Sequence, residues 1–452
     1  MWSERSLTSV KSFASGWNAR LSHTVRRSSI NKRVVLFVVL LALGVPFLLV
    51  FAHRSQPSSI SGLQQGDAWP PNSTIPVIVP HDSFSLQTSP PTPSPINFSL
   101  VMFSEDSASE GAILVKSALM YTSAPIHFHI LCDDEAQLYL EARLKLITRP
   151  RHNVAVTFYP LSIESIRRRI EREGAIASDH SAGLPGLLKL FIHEILPESV
   201  ERSIFVDTDA FFISDPMLLW NVFDTLNQDT AVAIPKHPDQ NAAEWHNASN
   251  ICSCIMLLNL KRLRELHLMD SSVYHDAKSP LAGIVPLAPA AFRSMYGPPG
   301  PSGHYEGVKL GDQGYWWAIV EHSPDIVEHL SYDWETSSCL VDMYATSLGN
   351  DNATFADESL IQVHTWNTPH HGQVVLPKLL HFNCLDGDKY YEWPGWVDLS
   401  QGLGQRWGAA VLYHAGSKWI WLNQAQPNST SILIQTHQDV HFADERYILD
   451  NS

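Results

Sequence analysis

The stretch SIFVDTDAFF, residues 203–212, decides the reading of this chain. A short apolar run ends on Asp207, and apolar residues resume directly after Asp209. The pattern predicts a buried strand that stops at two carboxylates one residue apart. Carboxylates so placed chelate a hard divalent ion, Mn2+ or Mg2+, through oxygen. An acidic loop after a strand would offer the same two residues, so the apolar runs on both sides are what single this pair out.

Outward from there the pattern is α/β. Residues 98–103 form a short apolar run, 110–121 have helical spacing, and 126–132 read as a strand running into Asp133 and Asp134. Residues 154–161 read as another strand, and 187–196 as an amphipathic helix stopped by Pro197. Alternating strands and helices predict a mostly parallel sheet flanked by helices. Ligands of such sheets sit beyond the carboxyl ends of the strands, where Asp207 and Asp209 fall. The Gly/Pro-rich residues 279–303 read as a long surface insertion near the site.

The chain has 452 residues, 44% of them hydrophobic, enough for a sizeable core. Residues 34–52, VVLFVVLLALGVPFLLVFA, carry no charge and are long enough to cross a bilayer. Seven basic residues and one acid precede this span, and after Arg54 no Lys or Arg occurs until Lys116. The positive side stays cytoplasmic, so the expected arrangement is a single-pass type II membrane protein with a lumenal body. A cleaved signal peptide would have a shorter apolar core and a shorter cationic lead. Residues 1–33 are then a cytoplasmic tail, 34–52 a signal anchor, 53–96 a Ser/Pro/Thr-rich stem and 97–452 the lumenal domain. Sequons at Asn72, Asn97, Asn247, Asn352 and Asn428 would all face a glycosylating compartment.

The net charge is −15 despite the basic tail, and an acidic body argues against nucleic acid as a partner. The five cysteines, Cys132, Cys252, Cys254, Cys339 and Cys384, would lie in an oxidising lumen, and their odd number leaves at least one free or paired between chains. Cys252 and Cys254 have C-x-C spacing with no second Cys/His pair at zinc-site spacing, so no zinc site is expected.

Other positions offer polar chemistry. His364 follows the apolar run SLIQV and would complete a metal shell through an imidazole nitrogen; His381, in LPKLLHFNC, competes for that role, but its apolar spacing suits a helix packed on the core. Asp312 and Gln313 open a helix in KLGDQGYWWAIVEHSP, Asp312 either as a simple N-cap or facing a ligand. Lys189 is a lone cation on an apolar helix, either snorkelling to water or meeting a phosphate or sugar. A phosphatase of the haloacid dehalogenase type also carries D-x-D, but Phe211 stands at its Thr/Val position and the motif lies too deep in the domain.

Taken in this order, LVKSALMYTSAPIHFHILCDD, the block from SAGLPGLLKLF to SDPMLLW, GDQGYWWAIVEHSP and VHTWN resemble glycosyltransferase family 8, and in particular its LARGE-type and xyloside xylosyltransferase domains. The likeness covers roughly residues 98–385. It implies a GT-A, Rossmann-like fold, a UDP-sugar donor, Mn2+, retention of anomeric configuration, a glycan or glycoprotein acceptor and a Golgi membrane location. Carried over by position, it implies that Asp207 and Asp209 bind the metal with His364 as third ligand. Lys189 would lie near the diphosphate and sugar, Asp312 and Gln313 near the reaction centre, and Asp106 in the loop that binds the nucleotide. The sequence departs from the family pattern at Gly314, where a second Asp is usual, and at Cys252-Ser253-Cys254, where Asn-Ser/Thr-Gly is usual. Phe103 and Ser104 replace small residues, Thr365 interrupts His-Trp-Asn, and His370-His371 replace two lysines. Those departures keep a second reading in view, an inactive pseudoglycosyltransferase that binds glycans or nucleotide-sugars. A self-glucosylating, glycogenin-like protein is opposed by the span and the stem.

Overall fold

The computed structural model describes residues 94–237, 241–279, 281–338, 363–364, 374–383, 385 and 389–450. The apolar span at 34–52 lies outside them, as do Cys339, Cys384 and the tail and most of the stem. Among the described residues no helix is long and apolar enough to cross a membrane.

Eight strands form the main sheet: β1 (Ile96–Met102), β2 (Ile126–Cys132), β3 (Val154–Pro160), β4 (Arg202–Val206), β6 (Val232–Pro235), β7 (Ile255–Asn259), β8 (Val327–Leu330) and β13 (Ile432–Thr436). Their spatial order is β13-β3-β2-β1-β4-β7-β6-β8. Seven run in one direction and β7 is reversed, antiparallel to both β4 and β6. The expected Rossmann-like sheet, largely parallel and flanked by helices, is what the chain builds. A smaller sheet orders β5 (Ala210–Phe212), β12 (Leu379–His381) and β9 (Thr336–Ser337) as β5-β12-β9, and β10 (Val363–His364) pairs with β11 (Val374–Val375).

Side chains alternate across a strand, so the sheet feeds two cores. Ile204 and Val206 of β4 join one with Phe98, Phe128 and Val156, while Phe205 joins the other with Tyr159 and Met256. The first core is covered by α1 (Glu105–Tyr121) and α2 (Asp134–Leu144). The second is covered by α3 (Ile163–Glu173), by residues 183–195 and by α5 (Asp312–His322). Each fully buried Leu or Phe contributes about 1.5–3 kcal/mol of transfer free energy. Asp133 at the end of β2 is a cap: its carboxylate accepts from the Ala136 N–H at 2.8 Å and the Ser104 N–H at 2.9 Å.

Two segments differ from expectation. The Gly/Pro-rich stretch 279–303 contains α4 (Ala288–Tyr296), which buries Ala291 and Phe292 against α5, the Phe292 and Tyr315 rings lying 4.9 Å apart. Pro289 stands in the first turn, where a missing N–H costs no hydrogen bond. Residues 187–196 are not one amphipathic helix. An α-helical turn (Gly183–Leu187) passes through a 3-10 turn (Leu188–Phe191) into a second α turn (Ile192–Ile195), and every residue from Leu187 to Ile195 is buried, Lys189 and Glu194 included. Arg169 of α3 holds Glu194 from behind with two hydrogen bonds of 2.8 and 2.6 Å. Arg172 in turn holds Asp444 of the helix Ala443–Asp450.

Candidate functional site

The carboxyl ends of β1 and β4 open on a cavity of about 950 Å3. Lys189, Asp207, Asp209, Asp312 and Gln313 all line it, so five of the seven expected site residues converge.

Backbone pairing sets the carboxylates. The β4–β7 ladder continues one step beyond Val206, with the Asp207 N–H donating to the Cys254 carbonyl at 2.7 Å. The Asp209 carbonyl accepts from the Phe382 N–H at 2.9 Å, in line with the β5–β12 pairing of Ala210 with His381. That register brings the His381 imidazole to the site, its Nε2 3.5 Å from Asp209 Oδ1. A carboxylate oxygen from each of Asp207 and Asp209 and a His381 nitrogen lie within 4.8 Å of one another. The apolar spacing around His381 suggested a helix; the segment is instead a strand, because β5 and β9 flank it and take its backbone hydrogen bonds. His364 lies in β10, and its side chain falls outside the described residues along with Trp366 and Asn367.

Lys189 does not snorkel. Its ammonium lies 2.8 Å from Asp207 Oδ1 and 3.4 Å from Asp312 Oδ1. Burial opposes its charge, but the two carboxylates overcome that and hold the ammonium above its ordinary range. Burial pushes Asp207 up to about 6 against the pull of Lys189, with Asp209 and Asp312 adding repulsion. Asp209 goes the other way: burial would raise it, and the ion pair with His381 holds it below its usual range. His381 answers in kind, lowered by burial and lifted to about 10 by Asp209 and Glu335.

Asp312 is the first residue of α5 and not its cap; Gly311, at φ 60, occupies the cap position. The freed carboxylate accepts from the Ser253 hydroxyl at 2.8 Å and pairs with Lys189. Gln313 donates from Nε2 to the Ala248 carbonyl at 2.9 Å. Gly314 has a packing reason to be glycine: a β-carbon there would press on the Lys309 carbonyl and come within 2.9 Å of Val308 Cγ1. The chain has no room for the second Asp of the family pattern at this position.

Asp106 stands apart from the cavity lining. It is 69% exposed on the first turn of α1 and pairs with Lys389 Nζ at 3.1 Å. Phe103, Ser107 and Glu110 of the same region do line the cavity. Glu110 was not anticipated. Burial pushes its carboxyl up to about 7, although the Tyr390 N–H donates to it at 2.9 Å. Glu335 was also not anticipated, since nothing in its sequence surroundings marks it; Ser253, noted only as the centre of the Cys252-Ser253-Cys254 departure, is the residue that donates to Asp312. Four carboxylates, Asp207, Asp209, Asp312 and Glu335, thus face Lys189, His381 and, behind Glu335, His237. Such a surplus of carboxylates suits a divalent cation.

No family model matches the chain. Among curated proteins it is similar to mouse xylosyl- and glucuronyltransferase LARGE2, 32% identical over 157 residues, which is 35% of this chain and 21% of that protein. It is 25% identical over 294 residues to human LARGE2, 62% of this chain and 35% of the relative. The chain thus spans about a fifth to a third of these relatives' length, and the similarity recurs in rat, chicken and zebrafish proteins. Among solved structures, apo mouse xyloside xylosyltransferase 1 aligns with 64% of this chain and 99% of its own at a TM-score of 0.43 and 16% identity.

Proposed function

We propose, for a chain that homology ties to the LARGE-type branch of GT-A glycosyltransferases, that it moves a sugar from a UDP-sugar to a glycan or glycoprotein acceptor with retention of configuration. The observation that carries this reading is the convergence of Asp207, Asp209, His381, Lys189 and Asp312 on one cavity at the carboxyl ends of a parallel sheet. Two carboxylates and one imidazole are a donor set that fits Mn2+, with Mg2+ less suited to the nitrogen. Asp207, Asp209 and His381 would hold the ion. When bound it would supply charge neutralisation for a diphosphate leaving group.

The protein's own side chains do the rest. Lys189 is a buried, permanently charged donor held between two carboxylates, positioned to stabilise negative charge that develops on the departing group. Asp312, oriented by Ser253 and Lys189, and Gln313 at the same helix start face the sugar. We assign no covalent nucleophile; the acceptor hydroxyl attacks from the face the diphosphate leaves, and that diphosphate takes its proton. Residues 1–33, 34–52 and 53–96 act as cytoplasmic tail, membrane anchor and stem, holding the 97–452 domain in the Golgi lumen.

The test is turnover of a panel of UDP-sugars, UDP-xylose and UDP-glucose first, by the purified protein with and without Mn2+, with the anomer of the product read by NMR. Mn2+-dependent transfer or donor hydrolysis that disappears in Asp207→Ala supports the enzyme. Mn2+-dependent UDP binding with no turnover of any donor would leave the binding-only pseudoenzyme as the correct reading.

A further inference from the structure

The wall of the cavity holds a second set of donor atoms that the transferase reading leaves unused. Strand register assembles it from three distant segments. Cys254 sits beside Asp207 through the β4–β7 ladder, and Cys252 follows the isolated bridge from Lys236 to Ile251. The β9–β12 pairing sets His381 beside Ser337, two residues after Glu335. Cys252 Sγ lies 3.8 Å from His381 Nδ1, and Glu335 Oε1 lies 3.3 Å from the same nitrogen. The two sulfurs, a Glu335 oxygen and a His381 nitrogen are all within 4.8 Å of one another, and all four residues are buried. A further shell supports them: His237 Nε2 lies 2.7 Å from Glu335 Oε2, and His237 Nδ1 lies 3.0 Å from the Tyr332 hydroxyl.

We propose that Cys252, Cys254, Glu335 and His381 form a redox-gated site for a thiophilic divalent ion, Zn2+ being the ion the donor set fits. Two sulfurs, one imidazole nitrogen and one carboxylate oxygen make a four-donor, tetrahedral set of the kind zinc takes. Carboxylate ligands in metal sites are themselves held by outer-shell partners, as His237 holds Glu335. The C-x-C spacing alone hid the site, because its other two ligands come from segments more than 80 residues away.

In the structure Cys252 and Cys254 are joined as a disulfide, the closed form of the gate. Opening it takes two electrons and two protons. Two thiols of the glutathione type supply them: the Cys252–Cys254 bond breaks, the two protein thiols form, and the small thiols become one disulfide. Metal binding then displaces three protons to solvent, one from each thiol and one from Nδ1 of the His381 imidazolium, since thiolates and a neutral imidazole are the ligands.

The two sites share one imidazole. Nδ1 of His381 faces the sulfurs and Nε2 faces Asp209. A neutral imidazole has one lone pair on one nitrogen. With Zn2+ on Nδ1, Nε2 carries the hydrogen, donates to Asp209 and is lost to the hard-ion site. Zinc in the reduced protein therefore antagonises the metal at Asp207 and Asp209. This antagonism rests on the ligand set given under Proposed function; the sulfur site does not.

Co2+ is the probe, because thiolate ligation gives it a near-ultraviolet charge-transfer band that oxygen and nitrogen ligands do not. The full chain in detergent is reduced with a phosphine, desalted and titrated with Co2+. The band appears in the reduced protein, is absent from the oxidised protein and from Cys252→Ser and Cys254→Ser, and is discharged by equimolar Zn2+. The oxidised wild type serves as the comparison if either variant fails to fold. Two thiols gained on reduction with no band would overturn the site, as would a band that persists in both folded variants. Zinc should also weaken Mn2+-dependent UDP binding at least tenfold in reduced wild type and not in the double Cys→Ser variant. Unchanged UDP binding beside a genuine cobalt band overturns the antagonism alone. Absence of any Mn2+-dependent UDP binding, with the band present, tells against the transferase site and leaves the sulfur site standing.

Discussion

Lys189→Met is the most informative single change. The substitution keeps the aliphatic stem and its packing near Phe205, whose ring lies 5.1 Å from Nζ, and removes only the charge. Asp207 and Asp312 then face each other without a counter-charge. Deleting one partner of a buried pair costs about 3–5 kcal/mol. The side chain of Asp207 is 27% exposed and water reaches it, so the low end, about 3 kcal/mol, is expected. The loss depends on pH in a definite direction. Without the ammonium, the carboxyls of the folded variant titrate above their unfolded value near 3.9. A group whose folded pKa is raised carries no penalty below the unfolded pKa and the full penalty above the folded one. Urea denaturation of both proteins at pH 5 and pH 8, without added metal, should show the smaller difference at pH 5. A difference under about 0.5 kcal/mol at pH 8, or an equal difference at both pH values, would refute the idea that Lys189 acts as the charge anchor of these carboxylates and reduce it to a packing residue.

Three further outcomes follow from the same geometry. Asp207→Ala and His381→Ala should each weaken Mn2+-dependent UDP binding by at least tenfold in calorimetry with melting curves near wild type, and His364→Ala should change it little; the opposite ranking would return the third ligand to His364. Glu110→Gln should stabilise the protein above pH 7 by about 2–3 kcal/mol, because the buried carboxyl, raised to about 7, keeps its full stability below pH 4.5 and loses it as pH rises through 7. Equal stabilities of the two proteins in thermal melts from pH 4 to 8 would show that Glu110 is solvated. Gly314→Ala should cost about 1–3 kcal/mol by pressing a methyl on the Lys309 carbonyl, and a variant that melts with wild type would show that α5 can shift to admit it.

Much of the sheet was legible because its signals are local. The runs at Ile126–Cys132 and Arg202–Val206 are apolar, short and bounded by acids, and they became β2 and β4 at nearly the expected limits. Asp207 and Asp209 were visible as carboxylates breaking an apolar run. Lys189 was visible as a cation where apolar spacing leaves no place for one, though its partners were not. His381 illustrates what stays hidden: three apolar-flanked residues have no period of their own, and only pairing with β5 and β9 makes them a strand and aims the imidazole at Asp209. Glu335 and Ser253 depend in the same way on register between remote segments. Of the two readings open for Asp312, cap or ligand-facing carboxylate, sequence could not choose: Gly311 takes the cap position through a positive φ, a conformation composition does not announce, and leaves the carboxylate to the cavity.

The place of β13 at the edge of the main sheet bears on how the protein is made. β13 pairs along its whole length with β3, Val154 meeting Ile432, and extends a sheet whose other members precede residue 331. During synthesis the outer edge of β3 stays unpaired until residues near 436 have emerged, which at ribosomal rates is of the order of 10–60 seconds after β3 itself. An open, regular edge over that interval is a template for pairing with another nascent chain. Expression yield should therefore depend on chaperone supply during that window more than on the stability of the finished fold. A substitution that weakens β13, such as Ile434→Pro, should appear first as aggregate and only second as a lowered melting temperature.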